Sequence, residues 1–273
     1  MNHKYIAILS LVILLTSCQD VIELELSNTQ IKPVIVAEVN DDINTVNVSV
    51  TSSSEFYNLD SPTTINNATI RLSDSEGEAY DFVSQGNGIY LAENFQGIRD
   101  RTYMLGIEID ELTYEASASI PNQKIMIDSI VVYFEEESIF RDAGFYPTIY
   151  FTDPPEEGNY YRINASVNGS PFDYNRDDPE LDEDLDTSIK LYTDKFSNDG
   201  LQDFELFYNL EVGDVLFVEI QHLDKSTFDY LRTLVDVGGG SGVAPADPIS
   251  NFGTDALGYF GAYTTSDFTI TVQ

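Results

Sequence analysis

Apolar residues recur at every second position along most of the chain, and the 3.6-residue period of an amphipathic helix is nearly absent. Val46, Val48 and Val50 alternate with Asn47 and Ser49. Tyr103, Leu105, Ile107 and Ile109 keep the same spacing, and Ile163, Ala165 and Val167 repeat it later. Successive side chains of a strand point to opposite faces, so each run buries one face and wets the other. Turn residues separate the runs: Asp74-Ser75-Glu76-Gly77 lies between Ala68 to Leu72 and Ala79 to Val83, and Gly86-Asn87-Gly88 precedes Ile89 to Leu91. Both read as hairpins. Further strands are expected at Leu112 to Ser119, Ile125 to Phe134, Thr148 to Phe151, Tyr160 to Val167, Ile189 to Thr193, Phe204 to Tyr208, Val215 to Leu223 and Phe268 to Val272.

One helix is expected, starting at Ser226, whose hydroxyl can cap the following N–H groups, with Asp229 three positions on completing a capping-box-like pair. Phe228, Leu231 and Val235 share a face, and Gly238-Gly239-Gly240-Ser241-Gly242 ends it. The pattern predicts an all-β protein of two sandwiches: an immunoglobulin-like one over 31–121, and a second, larger one with a short helix over 122–273. The division is placed at Ile120-Pro121-Asn122-Gln123, because proline cannot donate to a ladder and pushes the residue before it towards an extended conformation.

The N-terminus follows a different rule. Lys4 precedes a short apolar stretch, Tyr5 to Leu15, then the small residues Thr16 and Ser17, then Cys18, the only cysteine of the chain. This predicts a secretion signal over 1–17. The run Leu15-Thr16-Ser17-Cys18 resembles a lipobox, in which the thiol is alkylated by a lipid that carries acyl chains such as palmitate and the cysteine becomes the new N-terminus, so 18–30 is expected to be a lipidated tether. The apolar stretch falls short of the about 20 residues a membrane-spanning helix needs. Several acyl chains on one cysteine would hold the protein stably at a bilayer. With no second cysteine, no intrachain disulfide can form.

Charge narrows the partners. Thirteen basic against 47 acidic residues give a formal charge of -34. Nucleic-acid binding needs a basic stripe to neutralise phosphates, and no Lys/Arg cluster exists, so that class is set aside. Anionic head groups are repelled likewise, which leaves the acyl chains to hold the membrane. At 42% hydrophobic and 12% aromatic residues, the chain is still apolar enough to fold.

Candidate chemistry is sparse. After a signal is removed, His222 is the one histidine, and its alternation with Leu216, Val218 and Ile220 predicts a sheet-facing or boundary side chain rather than a general base. Ser241 fails the nucleophile-elbow test, because Val243 stands where glycine is required. The acidic segment Asp173 to Asp186 offers hard oxygen ligands, with Asp182, Asp184 and Asp186 as calcium candidates. Thr187 and Thr193 occupy the positions where an EF-hand needs glycine and glutamate, so a solvated acidic loop is the favoured reading and no cofactor is expected. Tyr160, Tyr161, Tyr259 and Phe260 could offer aromatic faces to a sugar, although core packing is the commoner use of such residues.

Cys18 followed by Val21-Ile22-Glu23-Leu24, then Asn67-Ala68-Thr69-Ile70, Gly88-Ile89-Tyr90, Asp153-Pro154, Asn159-Tyr160-Tyr161-Arg162 and Leu257-Gly258-Tyr259-Phe260-Gly261-Ala262 resembles the landmarks of a lipoprotein family, the domain of unknown function catalogued as 4249. The N-terminal pieces are also similar to carboxypeptidase-regulatory-like β-sandwiches. The resemblance implies an outer-membrane lipoprotein of a Gram-negative bacterium that occurs beside TonB-dependent transporters, with an accessory role in uptake. It carries over no catalytic residue. The expected protein is therefore non-enzymatic, lipid-anchored and displayed at the cell surface, binding a small molecule, a peptide or a transporter. A carboxylate-dependent extracellular hydrolase and a surface adhesion or assembly protein are the alternatives.

Overall fold

Sixteen strands and one α-helix make up the residues described by a computed structural model, namely 31–54, 62–139, 141–171, 190–196, 199–238 and 247–273. In chain order the strands are β1 (Pro33–Asn40), β2 (Thr45–Ser52), β3 (Thr69–Asp74), β4 (Ala79–Asp81), β5 (Val83–Gly86), β6 (Ile89–Glu93), β7 (Thr102–Ile109) and β8 (Leu112–Ser119). They continue with β9 (Ile127–Glu135), β10 (Gly144–Asp153), β11 (Tyr160–Val167), β12 (Ser170–Pro171), β13 (Lys190–Thr193), β14 (Gly200–Glu205), β15 (Val215–Leu223) and β16 (Leu257–Thr271). The helix, α1, is Lys225–Gly238, and a single 3₁₀ turn covers Asp194–Phe196. The fold is all-β with a short helix, as the alternation predicts.

The largest sheet runs β12-β11-β15-β16-β1-β2-β6-β5, with β13 also pairing β11. Two smaller sheets, β4-β3-β7-β8 and β14-β10-β9, accompany it. Alternation places the apolar side chains of the large sheet on one face, where they form two separate cores. In the first, Ile35, Val39, Val46, Val48, Val50, Tyr90 and Phe260 meet Leu72, Tyr103, Leu105 and Ile107. In the second, Tyr161, Ile163, Leu216, Val218 and Ile220 meet Ile127, Ile149, Phe151 and Leu206.

β16 belongs to both halves. Its first part pairs in parallel with β1, from Val34↔Leu257 to Asn40↔Tyr263, and its second part pairs antiparallel with β15, from Leu223↔Tyr263 to Val215↔Thr271. The large sheet thus crosses the division placed at 121. Glycine lets β16 and β1 lie this close: Gly258 has φ +89, and a Cβ there would stand 1.9 Å from the carbonyl oxygen of Ile35.

Between the two cores the chain passes from β8 to β9 over a polar strip of the sheet. Thr264 Oγ1 donates to the carbonyl of Gln123 at 3.0 Å, and Ser266 Oγ donates to that of Ile125 at 2.6 Å. The His222 Nδ1 also lies 3.0 Å from the Gln123 carbonyl oxygen. These buried side chains supply the hydrogen bonds that an irregular segment inside a fold requires.

The opposite face of the large sheet carries α1. Its cap is Asp224, not Ser226: Asp224 Oδ1 accepts from the N–H of Thr227 at 3.0 Å, while Ser226 Oγ donates to Asp224 Oδ2 at 2.7 Å. An aspartate at this position presents a charged acceptor to the first turn, where the N–H groups and the helix dipole favour negative charge. Asp229 turns instead to Lys225 in an ion pair. Tyr230, Leu231 and Phe228 pack with Tyr259, Tyr263 and Leu223 into a third apolar cluster.

Candidate functional site

One end of α1 and the start of β11 enclose an open cleft of about 800 Å³, lined by Glu157, Gly158, Tyr160, Thr193, Asp194, Lys195, Phe228 and Arg232. Three elements build it. β11 supplies Tyr160, the 3₁₀ turn supplies Asp194 and Lys195, and α1 supplies Phe228 and Arg232, which share a helix face because they are four residues apart. The rings of Tyr160 and Phe228 lie 4.6 Å apart and 32° from coplanar, forming an aromatic floor.

Asp194 fixes the shape of the wall. Its carboxylate is buried and accepts from the backbone N–H of Gly158 at 2.8 Å, the N–H of Asn159 at 2.9 Å and Asn159 Nδ2 at 3.2 Å. Three donors offset the cost of burying a charge and clamp the 158–159 loop to the 3₁₀ turn. Arg232 pairs with Asp236 at 3.2 Å on an exposed stretch of helix. Such a pair is weak and can yield its guanidinium to a ligand.

Behind the cleft the polar groups are sealed. The Tyr161 hydroxyl donates to Asp153, and Asp153 also accepts from the N–H of Asp199 at 3.1 Å. Burial, then the bond to Asp153, pushes the Tyr161 phenol far above its ordinary range. His222 stacks at a tilt 5.4 Å from Tyr161, and burial holds its pKa below the usual imidazole value. His222 is a core side chain that supports the β8–β9 passage, in line with its alternation in sequence.

A second polar cluster lies across β11, β15, β16 and β1. The Arg162 guanidinium contacts Glu38 at 3.0 Å, donates through Nε to Gln221, and sits 5.3 Å from the Tyr263 ring centroid. Tyr259 donates to Glu38 Oε1 at 2.6 Å. Burial, then the nearby Glu38 carboxylate, pushes the Tyr263 phenol up to about 12. This cluster ties the four strands together, and each of its charges has a partner.

Of the aromatic residues singled out in sequence, Tyr160 alone lines the cleft. Tyr161, Tyr259 and Phe260 are buried. Lys195, Phe228 and Arg232 escaped the sequence reading as site residues. Only the four-residue spacing of Phe228 and Arg232 signalled a shared face, and nothing local links them to Tyr160 or Lys195. Cys18, Asp182, Asp184, Asp186 and Ser241 lie outside the described residues. Among the described residues, no group of three or more His, Cys, Asp or Glu side chains could hold a metal ion. No described helix is long and apolar enough to cross a membrane.

No curated protein matches the chain. The sequence does match a described family over residues 19–269, which is nearly the whole of its length. The chain belongs to that family, the domain of unknown function DUF4249.

Proposed function

We propose that this is a lipid-anchored, non-enzymatic binding protein of the outer membrane, tethered through Cys18, that takes a small polar ligand into the cleft beside α1 and serves a TonB-dependent transporter. The observation that carries this reading is the cleft itself: an aromatic floor of Tyr160 and Phe228 rimmed by Lys195 and Arg232, in a chain whose formal charge is -34. Apolar walls with a few placed polar groups are the usual make-up of small-ligand sites. Of the two carboxylates that line the cleft, Asp194 is occupied by the protein's own donors and Glu157 is left without a second, so the carboxylate pair that a glycosidase uses is not offered, which supports binding over carboxylate-dependent hydrolysis.

The membrane arm is tested by Cys18→Ser, which should release the protein from the membrane fraction; retention there rejects the tether. Affinity purification in mild detergent should bring down a transporter barrel, and its absence rejects the partnership. The cleft is tested with Tyr160→Ala and Arg232→Ala, screened against a panel of mono- and oligosaccharides and short peptides by calorimetry. A ligand of the wild type should lose affinity in both variants. Turnover of any panel member would favour the hydrolase instead.

A further inference from the structure

The outer edge of β9 goes beyond that reading. β9 pairs with β10 along one side, and the small sheet ends there. The neighbouring ladder tells which of its groups point away. The carbonyls of Phe145 and Pro147 accept from the N–H groups of Leu210 and Leu206 at 2.8 and 2.9 Å, on the β14 side of β10. Backbone groups alternate in direction along a strand, so Tyr146 and Thr148 address β9, where their partners are Tyr133 and Val131. The N–H and C=O groups of Ile130, Val132 and Phe134 therefore point outward. Among the described residues, no hydrogen bond reaches them.

The same three residues leave an apolar row incompletely covered. Ile130 and Val132 are half-buried against the second core. Phe134 is 59% exposed, and its one aromatic contact among the described residues is an edge-to-face one with Phe145 at 5.2 Å. Native sheets blunt long edges with lysine, proline or a central bulge. β9 is nine residues long, reads Ile-Asp-Ser-Ile-Val-Val-Tyr-Phe-Glu, and has its one irregularity at the Ile127 end. Beyond it stand the exposed Glu136 and Glu137.

We propose that β9 is a docking edge for an extended strand from a partner protein, a strand that alternates apolar residues with lysine or arginine. Its backbone pairs with Ile130, Val132 and Phe134, its apolar side chains cover that row, and its cations meet Asp128, Glu136 and Glu137. Charge selects this occupant over a second copy. Two β9 edges paired about a two-fold axis would bring Asp128 of one near the glutamates of the other, between molecules that each carry a formal charge of -34.

The test titrates the full-length protein in detergent with a labelled peptide, acetyl-Lys-Val-Lys-Val-Thr-Val-Lys-Val-amide, read by fluorescence anisotropy. Saturable binding is expected, lost when alternate amides of the peptide are N-methylated and when glutamate replaces lysine. Val132→Pro removes an outward N–H without touching the β9–β10 ladder, and should weaken binding by about tenfold or more. The double variant Glu136→Lys, Glu137→Lys keeps the edge and should weaken the lysine peptide while admitting the glutamate one. It carries the test if the proline variant does not fold. No binding, equal binding of the N-methylated peptide, or indifference to both variants overturns the proposal. So does a concentration-dependent dimer that Val132→Pro dissolves.

Discussion

His222 donates its Nδ1 proton to the carbonyl of Gln123 across 3.0 Å, joining β15 to the segment that carries the chain from one core to the other. The ring sits in a site where burial disfavours its cation, so its pKa in the folded protein lies below that of the unfolded chain.

The sign of the pH dependence follows. Between the two pKa values the unfolded state binds more protons than the folded one, so stability rises with pH there. The contribution is complete above the unfolded value of about 6.5 and is lost as pH falls through the folded one. Chemical denaturation from pH 7.5 down to 5 should show stability falling as pH falls, with a contribution from this residue that is bounded by about 1.4 kcal/mol per pH unit, the slope of one proton. In His222→Gln that contribution should disappear, and an unchanged slope would assign it to another group.

Arg162 and Glu38 form a charge pair set into the sheet beneath α1, and removing one partner strands the other. Arg162→Met should cost about 3 kcal/mol in unfolding free energy. Adding Glu38→Gln to it should recover part of that loss, because the unpaired charge goes while an acceptor for the Tyr259 hydroxyl stays. A double variant no more stable than the single would show that the pair is not what holds these strands.

Gly258 admits no side chain. With φ +89 and a would-be Cβ 1.9 Å from the Ile35 carbonyl oxygen, Gly258→Ala must push β1 and β16 apart or twist the backbone. A loss of about 3 kcal/mol or more is expected, with a lowered unfolding midpoint.

Thr265 presents the opposite case. Its Oγ1 is buried and has no hydrogen-bond partner among the described residues. Thr265→Val removes a desolvated hydroxyl and should raise stability by about 1 kcal/mol, seen as a higher denaturation midpoint at constant slope.

Clean alternation made much of the fold legible: Tyr160 to Val167 and Val215 to Leu223 are expected and observed with the same ends. The first half of β16 was not legible. Leu257 to Thr264 is buried on both faces for most of its length and interrupted by two glycines, so it carries no period of two. β14 begins at Gly200, four residues before the expected start at Phe204, because its first residues alternate exposed Leu201 with buried Gln202 and invert the usual polarity. The helix was recognisable from its apolar face, yet its cap lay two residues earlier than expected, at a residue that reads equally well as a strand end. The cleft was the least legible part. Tyr160, Lys195 and Phe228 come from three separate elements, and only the folded sheet brings them to one place.

A ribosome delivers β1 more than two hundred residues before Leu257 to Tyr263, its parallel neighbour. β1 therefore waits, with one flank open, for Leu257 to Tyr263 to arrive. A chain truncated anywhere before 257 should expose that flank and become a target for proteases, whatever the state of its other strands.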